Sequence, residues 1–382
     1  MRVALVHDWL TGMRGGERVL QEIIGVLPTA EIFTLVHARG TVSAQIESLR
    51  IHTSWLNHVP GLKRNYRYAL PLFPGAIERF DLRGFDLVIS SSHCVAKGVH
   101  VPAGVPHICY CHTPMRYLYD QHDAYARRAS WPVRAGLALT RGRLQHWDRL
   151  SATRVTHFLA NSQHVQRRIA RIYGQSSTVL YPPVDIDRFQ AGNQRDDYYV
   201  TVSALVPYKR VDLVIQAFNS LGRRLIVIGS GPERGRLQRR ARSNISFTGW
   251  IPDAQVAAQL AHARGFVFAG EEDFGIALVE AQAAGAPVIA YASGGAQEIV
   301  LDGETGVLFH EQTVDALQQA VQTAEAGSFA PATLRAQAAQ FQPARFRESL
   351  RLELEQVLRM KGKPQAARER TGVFAASDLG VT

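Results

Sequence analysis

Cysteine is scarce in this chain, and runs of apolar residues long enough to cross a membrane are missing. The 382 residues hold three cysteines, Cys94, Cys109 and Cys111. An odd number in so long a chain argues against a disulfide-built secreted scaffold and for a reducing cytoplasm. Cys109 and Cys111 stand two apart in a strand-like segment, the wrong spacing for a zinc knuckle, and read as buried thiols. No apolar run approaches the roughly 20 residues that a bilayer span needs. Met1 to Asp8 reads as a first strand and lacks the longer apolar core of a signal peptide. No DxD-like or histidine-rich cluster is placed to hold a metal, and no short-period repeat is present.

What is present is a folded composition, 46% hydrophobic and 20% charged, in a chain long enough for two domains that each bury a core. The formal net charge of +10 is unevenly placed. Residues 1–180 carry 22 Lys and Arg against 11 Asp and Glu, whereas the remainder is nearly neutral. That asymmetry points to an anionic partner for the first half: an acidic lipid surface, a phosphorylated acceptor or nucleic acid. No recognisable RNA- or DNA-reading motif accompanies the charge, so no nucleic acid is expected.

Strand-like segments at Val3–His7, Ile32–Val36, Leu49–His52, Phe85–Ser90 and His107–Cys111 alternate with helical ones. Asp8-Trp-Leu-Thr-Gly-Met-Arg-Gly-Gly-Glu17 reads as a glycine-rich loop before a helix from about Arg18 to Val26. It is either a phosphate approach or a plain tight turn. Two stretches, Pro60–Pro74 and Met115–Leu150, mix aromatic residues with basic ones such as Arg127, Arg128, Arg134, Arg141 and Arg143. They suit a membrane interface or, equally, solvated helix faces over a core. His112 ends a strand at its carboxyl edge, and Ser162 is explained as the cap of a helix closed by Gly174. Tyr181–Phe189 and the polar residues from Gln190 to Asp197 form a linker, after which strand and helix alternate again. Two parallel, right-handed sheets with helices on both faces follow, with a cleft between them. Pro343–Met360 is an amphipathic helix carrying Phe346, Leu350, Leu352, Leu354 and Leu358.

The chain is organised around residues 265–291. A strand from Gly265 stops at the acidic loop Glu271-Glu272-Asp273. Gly275 opens an alanine-rich helix, and Val288–Tyr291 restarts the sheet. The loop therefore lies at the carboxyl end of a parallel strand, where open α/β sheets bind ligands. The helix N-terminus around Gly275, Ile276 and Ala277 offers free N–H groups to a phosphate. Glu272 and Glu280, repelled by an anion, suit sugar hydroxyls instead or, equally, are ordinary structural glutamates, which are common in helices.

Glu272 and Glu280, with the Ala-Gly-Ala-Pro-Val-Ile-Ala that follows, resemble the family 4 retaining glycosyltransferases of GT-B fold. Asn161-Ser162, Tyr181-Pro-Pro-Val-Asp185, Val206-Pro-Tyr-Lys-Arg210, Gly229-Ser-Gly-Pro-Glu233 and Gly303-Glu-Thr-Gly306 agree with that family in order and spacing. The segments His7–Gly16 and Cys111–Arg116 are similar to its mannosyltransferase-like branch. The resemblance implies an α/β GT-B fold, two Rossmann-like doubly wound parallel-sheet domains facing an interdomain cleft. Residues 1–182 would bind acceptor and 197–342 the nucleotide sugar. The helix at about 343–360 has the option of packing back on the first domain, and 361–382 form a flexible tail.

By the same resemblance, the chain moves a hexose, mannose above all, from a nucleotide sugar such as GDP-mannose to a glycan or polyprenyl-linked acceptor in cell-surface polysaccharide synthesis. It needs no cofactor and no metal, and works in the cytoplasm as a peripheral protein at the inner face of the plasma membrane. Glu272, His112 and Lys209 would be catalytic. Gly15, Gly16, Lys209, Arg210, Trp250, Ile251, Phe274, Gly275, Ile276 and Glu280 would hold the donor, Glu280 through its ribose. The sequence departs from the family at Ala204, where an arginine usually stands five residues before the lysine. Arg210 or Arg14 would then supply the missing cation. A sugar-nucleotide epimerase or hydrolase of the same architecture, or a non-catalytic nucleotide-sugar-binding protein, are the alternatives.

Overall fold

A computed structural model describes residues 1–120, 131–192 and 195–361. Arg127, Arg128 and the tail beyond Lys361 fall outside these residues. The first sheet is built from seven short strands: β1 (Val3–His7), β2 (Glu31–Thr34), β3 (Ile51–Thr53), β4 (Leu87–Ser92), β5 (His107–Cys111), β6 (His157–Ala160) and β7 (Ser177–Val179). All pair in parallel, in the order β3-β2-β1-β4-β5-β6-β7. Continuous apolar runs such as Val-Ala-Leu-Val make these strands, because helices cover both faces and leave no solvated side to alternate toward.

The second sheet has six parallel strands: β8 (Tyr199–Val202), β9 (Leu225–Ile228), β10 (Ile245–Gly249), β11 (Gly265–Phe268), β12 (Val288–Tyr291) and β13 (Gly306–Phe309). Their order is β10-β9-β8-β11-β12-β13. Two doubly wound parallel sheets thus stand where the sequence places them. In each, the strand order reverses beside the first strand, which opens a crevice at the carboxyl ends of β1 and β4 and of β8 and β11.

The final helix, Pro343–Lys361, leaves the second lobe and packs on the first. Phe346, Leu350, Leu354 and Val357 join the core made by Leu20, Ile23 and Leu5. Arg347 Nη1 reaches Glu22 Oε2 at 2.5 Å and His157 Nε2 meets Glu353 Oε2 at 2.8 Å. Leu352, expected on the apolar face, is 61% exposed, because the buried stripe follows the 3.6-residue period through 346, 350, 354 and 357. Beneath the helix Trp131–Ala152, the buried Lys97 ammonium donates to Asp148 at 2.5 Å and Ser151 at 2.9 Å, pinning that helix to the sheet. All three cysteines are buried and unpaired.

One boundary near the cleft differs. The helix starts at Gly15, not Arg18, so Gly15 and Gly16 form its first turn rather than a loop. Glu17 explains the early start: its carboxylate accepts the Arg14 amide at 3.0 Å and closes the turn.

Candidate active site

The acidic loop is set by glycines before any ligand is considered. A Cβ on Gly270 would lie 2.8 Å from the Lys209 Cα, so only glycine lets the turn after β8 approach the loop after β11. Gly294 (φ +67°) sits against the Glu272 carbonyl, and the Gly295 amide donates to it at 3.0 Å. The loop is thereby held between two neighbouring strand ends. Lys209 closes the 3-10 turn Pro207–Lys209, and its ammonium is in ion-pair contact with Glu272 Oε1. Burial, then the neighbouring Arg116 guanidinium, lowers the Lys209 pKa to about 7; carboxylates nearby act in the opposite sense.

Arg210 does not stand beside this pair. Its backbone is left-handed (φ 51°), and its guanidinium turns to Gln312 at 3.0 Å and Asp212 at 3.5 Å. Phe274 is buried in the second core, while Gly275 (φ +110°) opens the helix Ile276–Ala283. Trp250 is 75% exposed, and Ile251 packs at the edge of the same core.

The first lobe contributes a histidine cluster at the carboxyl ends of β1, β4 and β5. His112 Nε2 meets Ser91 Oγ at 2.8 Å, and His7 Nδ1 meets the same hydroxyl at 3.1 Å. Burial, helped by His93 and His7, drops the His112 pKa to about 3, so its imidazole is neutral. Gly16 lies against it: a Cβ there would stand 3.8 Å from His112 Nε2. Asp8 is fully buried and accepts four backbone amides, those of residues His93, Cys94, Val95 and Ala96, at 2.7–3.0 Å. Burial alone would raise its pKa; His93, whose Nδ1 is 3.1 Å away, and the amides bring it below the usual carboxylate range.

The two lobes meet through polar contacts that join these halves. Asp273 accepts Arg116 Nε at 2.7 Å and Arg168 Nη1 at 2.9 Å, both from the first lobe. Burial opposes its charge, but the two arginines reverse that effect and hold it ionised. Ser162 caps its helix through the Val165 amide and also donates to the Asp273 carbonyl at 2.5 Å. Capping is therefore only half of its role. Glu298 accepts the amides of Gln163 and His164 at 2.7 and 2.9 Å, completing that helix start from the opposite lobe.

Gly15 touches Ile276, where a Cβ would come within 2.8 Å of the isoleucine Cδ1, so the first helix meets the start of the second-lobe helix. Deeper along the same seam, Glu280 receives Arg18 Nη1 at 3.4 Å and Arg188 Nη2 at 3.3 Å. The same arginines hold Asp253 at 2.6 and 2.7 Å. Burial pushes the Glu280 pKa up against the pull of both arginines, and Asp253 adds to the rise. Arg18, Arg188 and Asp253 line a cavity of about 310 Å³ between the lobes.

The structure thus brings Lys209, Glu272 and Ile276 to one seam with Gly15, Gly16 and His112. It directs Arg210 away and leaves Trp250 in solvent. Sequence reasoning passed over Asp8, Arg18, Arg116, Arg168, Arg188 and Asp273. The available signal was weak: Asp8, Arg116 and Asp273 follow strand ends and Arg18 lies in the first turns of a helix, but Arg168 sits mid-helix, and the partners are remote in the chain.

Two family descriptions match. "Glycosyltransferase Family 4" covers residues 13–188 and "Glycosyl transferases group 1" covers 184–341. The chain is 34% identical over 241 residues to a GDP-mannose-dependent alpha-(1-6)-phosphatidylinositol monomannoside mannosyltransferase of Mycolicibacterium smegmatis. That match takes in 51% of this chain and 62% of the relative, and the similar protein of Mycobacterium tuberculosis is matched over 50% of its length. A GDP-mannose-dependent alpha-mannosyltransferase of M. smegmatis is 29% identical across 81% of this chain and 84% of its own. Sucrose-phosphate synthase from Thermosynechococcus elongatus shares the fold, with a TM-score of 0.69 at 17% identity over 94% of this chain and all of the other. With both family descriptions matched in turn from residue 13 to 341 and two parallel sheets facing one seam, the chain belongs to glycosyltransferase family 4, of GT-B fold.

Proposed function

We propose that this chain is a retaining, metal-independent glycosyltransferase that moves a hexose, mannose from GDP-mannose in the first instance, to a lipid-linked or polysaccharide acceptor in cell-surface glycan synthesis. The observation that carries the reading is the pairing of Lys209 with Glu272 at the ends of β8 and β11, in the lobe that meets the one holding the neutral His112. Relatives named for GDP-mannose-dependent transfer support the donor.

The chemistry follows from charge. Breaking the bond between the sugar carbon and the diphosphate oxygen puts negative charge on the departing diphosphate and positive charge on the carbon. Lys209 and the amides of Gly275 and Ile276 face the diphosphate, where fixed dipoles aimed at the developing charge stabilise it. Glu272 takes hydroxyls of the sugar and leaves Lys209 for them. His112, neutral and bonded to Ser91, contacts the sugar without adding a cation beside the developing positive carbon. The acceptor oxygen then bonds the same carbon, and its proton passes to the leaving diphosphate. Glu280 receives the ribose hydroxyls, which take the places of Arg18 and Arg188 on its carboxylate. Trp250 and Ile251 border the base.

Attachment at the inner face of the plasma membrane belongs to the same reading. Trp55, Val59 and Leu72 are exposed on the first lobe near Lys63, and no described helix is long and apolar enough to cross a bilayer. A thermal-shift panel of nucleotides and nucleotide sugars tests the whole reading. GDP-mannose and GDP should stabilise the protein above other bases; no stabilisation by any nucleotide would remove the proposal. Consumption of donor without acceptor would favour the hydrolase or epimerase alternative.

A further inference from the structure

We infer that Arg116, on the first lobe, is the second cation of the leaving-group site and binds a nucleoside diphosphate through its Nη2. This rests on the reading of a nucleotide-sugar donor given above.

Arg116 lies five residues beyond β5, at the carboxyl edge that faces the cleft. Its guanidinium is fixed in plane by two bonds to the acidic loop of the other lobe: Nε to Asp273 Oδ2 at 2.7 Å and Nη1 to the Glu271 carbonyl at 3.3 Å. The third nitrogen, Nη2, is buried and has no hydrogen-bond partner among the described residues. Guanidinium carries only donors, so a buried nitrogen left without an acceptor is unfavourable unless a ligand supplies one.

What stands next to it names the ligand. The Arg116 Cζ lies 5.9 Å from the ring centre of Tyr208, and Lys209 Nζ lies 5.2 Å from the same ring. Two cations therefore stand against one side chain, and the Arg116 charge adds to burial in lowering the Lys209 pKa. A polyanion could contact both, and it alone would give Arg116 Nη2 the acceptor it lacks. The protein's own carboxylates are committed: Glu272 to Lys209, and Asp273 to Arg168 as well as Arg116. A diphosphate presents several charged oxygens, and guanidinium binds phosphate in a fixed plane. Arg116 also touches the acidic loop directly, so the contact between the lobes holds its charge beside that loop. Of the two groups expected from the sequence, Arg210 and Arg14, the first is bound to Gln312 and Asp212.

The test compares GDP with GMP, and UDP with UMP, by calorimetry on the full chain. Wild-type protein should prefer the diphosphate. Arg116→Gln should cut that preference by about tenfold or more while leaving the monophosphate affinity nearly unchanged. Arg116→Lys should restore part of it. Arg168→Gln, which removes the other arginine from Asp273, should keep the preference. An unchanged preference in Arg116→Gln, or an equal loss in Arg168→Gln, would overturn the assignment and leave Arg116 as a clasp between lobes. If wild-type protein binds no nucleotide at all, the donor reading itself fails and this assignment goes with it.

Discussion

The Ser162 hydroxyl spans the two lobes: it accepts the Val165 amide at 3.0 Å and donates to the Asp273 carbonyl at 2.5 Å. One oxygen thus caps a first-lobe helix and clasps the acidic loop of the second. Ser162→Ala should lower stability to urea by about 1–2 kcal/mol, the usual loss for a helix cap together with a buried carbonyl left unpaired. It should also weaken nucleotide binding, because the loop that carries Glu272 is released. Denaturation and calorimetry on the same variant check both. Loss of stability with full nucleotide affinity would confine Ser162 to capping.

Gly270 carries a second prediction. Its missing Cβ is the space that Lys209 occupies, and the neighbour there is backbone, which cannot swing aside. Gly270→Ala should destabilise the protein by about 1–3 kcal/mol and displace Lys209 from Glu272. Gly235, inside the helix Arg234–Arg240, has only a flexible arginine tip 3.6 Å from its would-be Cβ. Gly235→Ala should stabilise by up to about 1 kcal/mol. Urea midpoints for the pair separate a packing constraint from a general effect of added methyls.

Much of this arrangement was legible in the sequence, and the reason is local. β1, β5 and β11 are apolar runs ended by polar residues, and Gly174 and Gly275 punctuate helices in the usual way. The Glu272–Glu280 spacing placed both acids on one loop-helix unit. β7 (Ser-Thr-Val) and β13 (Gly-Val-Leu-Phe) were missed, short strands opened by a polar residue or a glycine. The cross-lobe partners were invisible for a different reason. Glu298 completes a helix that begins 135 residues earlier, and Arg116 meets Asp273 across 157 residues. Nothing in local periodicity encodes such pairings; only the closing of two sheets on one another creates them. Gly15 and Gly16 misled because glycines next to a strand read as a loop, whereas Glu17 closes the turn from within.

Lys209 makes nucleotide binding depend on pH. Its pKa of about 7 in the free protein should rise when a diphosphate arrives, so binding takes up a proton. Affinity should therefore be greatest below pH 7 and fall as pH rises through that value. Calorimetry in buffers of different ionisation enthalpy should detect the uptake near pH 7.5. Lys209→Arg should bind with little pH dependence across that window, because arginine stays charged.

Acid should unfold the protein through two histidines, His107 buried and His112 half-buried. Burial lowers the pKa of His107 and His112 to about 3, against 6.5 for an ordinary histidine. Between those values the unfolded chain binds more protons, so stability is lost as pH falls below 6.5. His107 lies far from the cleft side of the cluster and bonds Ser90 at 2.9 Å. His107→Gln should flatten the urea midpoint between pH 6.5 and 4; an unchanged slope would contradict the neutral, buried state.

Glu272 decides the account. Transfer of radiolabelled mannose from GDP-mannose into a membrane lipid or polysaccharide fraction, measured for the wild type and for Glu272→Gln, tests it most directly. The account predicts incorporation by the wild type and a fall of at least about 100-fold in the variant, with GDP affinity kept within a few-fold. Equal rates from the two proteins would contradict it.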